Sequence, residues 1–125
     1  TAFSLDAIIL YGNTVDLYNP KCVRASVGNL WKTPVFQIKD FELLQSYFNN
    51  FTRIATLPKS SESVYLKDFK PQDKTLVMFG AEADGLSDEL IKFSTDKVTI
   101  EMNNSVESLN LSMSAGIIFY KLFLL

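Results

Sequence analysis

The chain has 125 residues, a formal net charge of -2 and 47% hydrophobic residues. That length suits one domain with one core, the apolar content excludes disorder as a global description, and the mild acidity leaves no overall basic footprint for nucleic acid. With no histidine and one cysteine, Cys22, a zinc site is not expected, a Ser-His-Asp or Cys-His mechanism cannot be assembled within the chain, and the unpaired thiol fits a reducing, cytoplasmic setting.

The N-terminus shows no basic segment followed by an apolar run, so no signal peptide is expected. Thr1–Leu5 reads as the tail of a helix, and Asp6–Tyr11 as a buried strand broken by Gly12-Asn13. Asn19 before Pro20 is a good helix start. That helix is expected to carry Val23, Val27, Leu30 and Trp31 on one side, Lys21 and Arg24 on another, and Gly28 near its end. A strand at Pro34–Ile38 follows. Asp40 then caps a helix whose Leu43, Leu44, Tyr47, Phe48 and Phe51 form a stripe expected in the core.

The second half continues the alternation. Thr52–Thr56 reads as a strand, Leu57–Ser63 as a loop and Val64–Phe69 as a short extended segment. Lys74–Phe79 is a buried strand, Gly80–Leu86 a loop, and Ser87 caps a short helix through Phe93. A strand at 97–101 leads into a polar loop, Met102–Glu107, and then a last helix over Leu111–Leu125 with Ser108 or Asn110 as its cap. Strands that alternate with helices, and that are apolar runs rather than alternating patterns, predict an α/β fold with a parallel sheet flanked by helices. The last helix is apolar all round and interrupted by Lys121. It is short for a membrane span, which takes about 20 apolar residues. One side can meet the sheet and the other a second copy of the chain, so a homodimer is expected, burial within one subunit being the alternative.

In open α/β sheets, ligands sit beyond the carboxyl ends of the strands. Three segments leave such ends: Thr56–Ser63, Gly80–Leu86 and Met102–Asn110. Gly80 and Gly85 bracket Glu82, which has no basic neighbour in sequence; turn-forming composition alone also accounts for such a loop. The dinucleotide spacing Gly-x-Gly-x-x-Gly is absent, and no Gly-Lys-Ser/Thr follows.

Phe79-Gly80-Ala81-Glu82-x-x-Gly85-Leu86-Ser87, Ile100-x-Met102 and Val106-Glu107-Ser108-Leu109-Asn110-Leu111-Ser112 resemble the second and third motifs of the SpoU/TrmH branch of the SPOUT RNA methyltransferases. Tyr18-x-Pro20-Lys21-x-Val23-Arg24-Ala25-Ser26-x-Gly28 matches a further segment of that branch. The resemblance spans essentially the whole chain. It implies an S-adenosyl-L-methionine-dependent methyltransferase acting on a ribose 2′-hydroxyl of rRNA or tRNA, with a C-terminal trefoil knot and a homodimer. It implies cofactor contacts at Thr56, Leu57, Gly80, Ile100, Met102 and Leu109, all of which also suit ordinary core or turn packing. Glu82, Ser108 and Asn110 match the functional polar positions, or else hold the loops in shape. Arg24 and, more weakly, Lys21 match RNA-facing positions on the early helix, where a solvated face is the plain alternative.

The family's first motif, with an Asn and a catalytic Arg, belongs just before the segment matching Ala2-Phe3, so the sequence reads as one SPOUT-type domain over 1–125, truncated at its N-terminus. Arg53 has no claim on that arginine's role by position. Ser4 stands where the family usually has Gly, and Ala81 where Asn is common. Two other readings stay open: a non-catalytic RNA-binding module on the same fold, and a small-nucleotide-binding α/β domain of another class.

Overall fold

Every strand pairing among the described residues is parallel, as unalternated apolar runs require. The computed structural model describes residues 1–103, 105–106 and 108–124. Asn104 and Glu107 of the polar loop, and Leu125 at the expected end of the last helix, lie outside them. The chain forms two compact units, Thr1–Tyr47 and Phe48–Leu125.

In the first unit, β1 (Ile8–Tyr11) pairs with β2 (Val35–Ile38), Ile8 opposite Val35 and Tyr11 opposite Ile38. Between them lies α1 (Pro20–Ala25), capped by Asn19, whose side chain accepts from the Lys21 N–H at 2.9 Å. This helix is shorter than its apolar spacing suggests. Val27 and Gly28 both take positive φ, +47° and +76°, which no right-handed helix continues through, so Val27 and Trp31 are exposed instead of forming one face. Thr1–Leu5 is likewise not a helix tail. It is a turn closed by the Ser4 N–H on the Thr1 carbonyl, with Ser4 at φ +54°. Helix α2 (Phe41–Phe48) starts at Asp40, whose carboxylate accepts from the Glu42 N–H at 2.9 Å. Its stripe only partly reaches the core: Leu44 is buried, but Leu43 is 45% and Tyr47 61% exposed. The stripe is wider than the face this helix buries.

The second unit holds β3 (Thr52–Thr56), β4 (Val64–Tyr65), β5 (Thr75–Met78), α3 (Asp88–Phe93), β6 (Asp96–Thr99) and α4 (Leu111–Phe123). Its sheet has the order β4-β6-β3-β5. The expected extended segment 64–69 pairs over only two residues and then tightens into a 3-10 turn, Leu66–Asp68, which buries Leu66. Ile54, Leu66, Val98, Ile118 and Leu122 form the core, with Val77, Phe79, Ile100 and Phe119 packed on it. Burying side chains of this size contributes roughly 1.5–3 kcal/mol each. Ser87 caps α3, and Asn110, not Ser108, caps α4 by accepting from the Met113 N–H at 2.9 Å.

The strand order has a topological consequence. Val98 of β6 lies opposite both Thr56 and Val64. Residues 57–63 therefore carry the chain from β3 across β6 to β4, a span of about 10 Å at normal strand spacing. Strand β6 runs past this arch and on into the polar loop. Three contacts tie the arch and its continuation to β6 and the residues just after it: Leu57 N–H to the Val98 carbonyl at 3.0 Å, Glu62 to Lys97, and Lys67 to Glu101 at 2.8 Å.

Candidate active site

The carboxyl ends of β6, β3 and β5 lie side by side, and their register brings four of the sequence-predicted residues together. Ala55 is level with Met78, and Thr56 with Val98. Thr56 donates its hydroxyl to the Met78 carbonyl at 2.8 Å, while the next residue, Leu57, donates its N–H to Val98. Gly80 follows two residues after Met78, and Ile100 one residue after Thr99. Met102, three residues past the end of β6, and Leu109, just ahead of α4, are half-buried. Phe119 of α4 stacks edge-on against Phe79, ring centres 5.5 Å apart, so the last helix packs immediately beside Gly80.

Gly80 is fixed by its own loop. A Cβ there would lie 2.0 Å from the Gly85 carbonyl carbon and 2.2 Å from the Leu86 nitrogen. The loop closes through two backbone bonds, Gly85 N–H to the Ala81 carbonyl at 2.9 Å and Ala81 N–H to the Gly85 carbonyl at 3.2 Å, with Gly85 at φ +68°. Glu82, Ala83 and Asp84 stand exposed at its tip. Among the described residues Glu82 makes no hydrogen bond or ion pair, so its carboxylate is open to an incoming group.

The three polar candidates do not form one network. No hydrogen bond among the described residues joins Glu82 to Ser108 or Asn110. Asn110 accepts on its amide oxygen from both Met113 N–H and Ser112 Oγ, the latter at 2.8 Å, so its first task is to start α4. Ser108 is exposed. In the preceding loop, Asn103 accepts from the Ser105 N–H and hydroxyl at 3.0 Å each. Half-buried apolar side chains, with Glu82 and Ser108 exposed, suit holding and orienting a ligand more than acid–base work.

The ion pairs beside these strand ends escaped the sequence reading. Glu62 and Lys97 are 35 residues apart, and Lys67 and Glu101 are 34, so no local spacing marks them. Lys97 holds the Glu62 carboxyl below the usual carboxylate range, and Glu101 lifts the Lys67 ammonium above the usual lysine value. The Lys59 and Lys67 ammonium groups lie 5.5 and 5.3 Å from the centre of the Tyr65 ring, within cation–π range.

Arg53 is a structural pin. Its Nε donates to the Phe93 carbonyl at 2.7 Å, its Nη1 to the carbonyls of Phe48, Asn49 and Phe51, and its guanidinium lies 4.5 Å over the Phe93 ring. It borders a hollow of about 790 Å³ lined by 49–53, 72–74 and 95–96, at the amino ends of the strands and away from every predicted cofactor residue. Lys21 and Arg24 are exposed on α1, in the first unit. Among the described residues, no group of three or more His, Cys, Asp and Glu is placed to hold a metal ion, and no helix is long and apolar enough to cross a membrane.

Residues 1–120 match the SpoU rRNA Methylase family. An uncharacterized tRNA/rRNA methyltransferase of Synechocystis sp. is 32% identical over 122 residues, covering 96% of this chain and 44% of that protein. The 23S rRNA (uridine(2479)-2′-O)-methyltransferase of Streptomyces viridochromogenes is 28% identical over 127 residues, covering 96% and 44%. The crystal structure of the SpoU methyltransferase AviRb from the same organism, in complex with the cofactor AdoMet, superposes with a TM-score of 0.85 at 26% identity, covering 96% of this chain and 47% of that one. The chain thus spans less than half the length of these proteins. With a family match over nearly its whole length, laid on parallel α/β units of the same fold, this chain belongs to the SpoU rRNA methylase family.

Proposed function

We propose that the protein carrying this chain transfers a methyl group from S-adenosyl-L-methionine to a ribose 2′-hydroxyl of rRNA or tRNA. One observation supports this above the rest: the register that sets Thr56-Leu57, the Gly80 turn and Ile100 at adjacent strand ends. The named activity of the Streptomyces relative and the AdoMet held by its structural neighbour agree with it. When bound, the cofactor supplies the methyl group on a sulfonium centre. The donors here fit its adenosine half: half-buried Leu57, Ile100, Met102 and Leu109 offer an apolar slot, and the exposed backbone of the turns offers hydrogen bonds. Much of the rate gain in such a transfer comes from alignment of the 2′-oxygen with the methyl group. Glu82 and Ser108, both exposed, orient the nucleotide. Asn110 holds the start of α4 and leaves its amide nitrogen for the same purpose. Lys21 and Arg24 contact RNA phosphate. On this reading the two units are parts of one cytoplasmic methyltransferase domain. The arch 57–63 is the loop of a trefoil knot, threaded by the segment after β6. A second copy packs on α4.

The test is transfer of radiolabelled methyl groups to ribosomal and transfer RNA, read as alkali-resistant dinucleotides, which mark 2′-O-methylation. Glu82→Ala is expected to lower transfer at least about tenfold, the scale of a lost orienting contact, with folding unchanged. Label found only on bases would overturn the reaction. Retention of RNA with no transfer at all would leave the non-catalytic RNA-binding reading in its place.

A further inference from the structure

Charge is unevenly distributed along this acidic chain. Residues 17–39 contain Lys21, Arg24, Lys32 and Lys39 and no Asp or Glu. The remainder carries a net charge of -6 against an overall -2. The four basic side chains are all exposed. Within the same segment stands the only tryptophan of the chain, Trp31, 72% exposed, and before the helix stands Tyr18, 65% exposed. A large, flat, exposed aromatic ring is out of place on a purely solvated face.

The backbone beneath Trp31 is shaped. Asn29 N–H bonds to the Ser26 carbonyl at 2.9 Å and Lys32 N–H to the Asn29 carbonyl at 3.0 Å, so two successive closed turns carry the ring. The first turn runs through Val27, a β-branched residue at φ +47° and 81% exposed. That conformation is costly for valine. An indole held on a turn loses little freedom when a partner covers it.

We propose that Trp31 is a stacking platform for an unpaired RNA base, with Lys21, Arg24 and Lys32 neutralising the flanking phosphates. Single-stranded RNA is bound in this way, by aromatic rings that stack bases and cations that follow the backbone. Charge selects RNA over a second copy of the chain. A two-fold contact through this patch would set basic residues against basic residues. The inference rests on the RNA-directed reading above and extends it, placing nucleotide recognition on the first unit as well as at the strand ends of the second.

Because Trp31 is the sole tryptophan, its emission reports on the site directly. Titrating the chain with short single-stranded oligoadenylate is expected to quench that emission saturably, and duplex RNA of the same length to quench it less. Labelled-oligonucleotide anisotropy measures binding independently. Trp31→Ala should weaken it about tenfold to a hundredfold, the loss of one base stack, at an unchanged salt slope. Trp31→Phe should restore most of it. Lys32→Gln should reduce the salt slope by about 0.7. Binding by anisotropy with no quenching, or an unaltered affinity in Trp31→Ala, would overturn the platform while leaving RNA binding intact. No anisotropy change in the folded chain would overturn RNA binding by this chain as well. A blue shift of the emission that grows with protein concentration and needs no RNA would show the face covered by a second copy, and so would also overturn the platform.

Discussion

Ser4, which the resemblance to the SpoU/TrmH branch set at a glycine position, takes a φ of +54°, a left-handed conformation that glycine adopts at no steric cost. A side chain in the left-handed region costs roughly 1–2 kcal/mol, partly offset in glycine by its extra freedom when unfolded. Ser4→Gly is therefore expected to stabilise the chain by about 0.5–1 kcal/mol in urea denaturation; a loss of stability would contradict the assigned turn. Asn110 makes the opposite case. Asn110→Ala should cost about 0.5–2 kcal/mol through the lost cap, and Asn110→Ser much less. Equal stability of all three would make the cap irrelevant. At this scale the sequence was partly legible. A polar residue directly ahead of an apolar run advertises a cap, although Ser108 and Asn110 competed for it. Gly80 was legible as one of two glycines bracketing Glu82, but the backbone of Gly85 and Leu86 that crowds it was not. A contact made by closing a loop onto itself leaves no trace in composition.

Among the elements, β3, β5, β6, α3 and α4 were legible because burial enforces their patterns. The long version of α1 was not, because its apolar spacing continued past the point where Val27 and Gly28 leave the helical region. The arch over β6 was also hidden, since strand order is a tertiary property that seven loop residues do not encode. Its ionic ties respond to pH in opposite directions. The folded Glu62 carboxyl is depressed, so its contribution is present above the ordinary carboxylate pKa, about 4.3, and disappears as pH falls through the folded value. The folded Lys67 ammonium is raised, so its contribution is present below the ordinary lysine pKa, about 10.4, and disappears as pH rises through the folded value. Glu62→Gln should lower the urea midpoint slightly near pH 7, with a deficit that shrinks in high salt and disappears in acid as the carboxyl is protonated. A deficit that persisted in acid would show that the side chain acts by packing and not by charge.

For the molecule as a whole, the parallel α/β class was readable from the unalternated apolar strands, but the division into two sheets was not. Neither was the partner of the last helix. Helix α4 buries Ile118 and Leu122 yet leaves Met113, Ile117, Tyr120 and Phe123 exposed, the apolar face on which a second copy is proposed to pack. Sedimentation should show concentration-dependent association, weakened about tenfold or more by Ile117→Lys, as when charge enters the centre of an apolar interface; unchanged association would place any dimer elsewhere. The cofactor is proposed to sit where the carboxyl ends of β6, β3 and β5 converge. Amide chemical-shift mapping during titration with S-adenosylhomocysteine tests it most directly. Shifts are expected to centre on Leu57, Gly80, Ile100, Met102 and Leu109. Shifts centred instead on 49–53, 72–74 and 95–96, around the hollow at the amino ends of the strands, would contradict it.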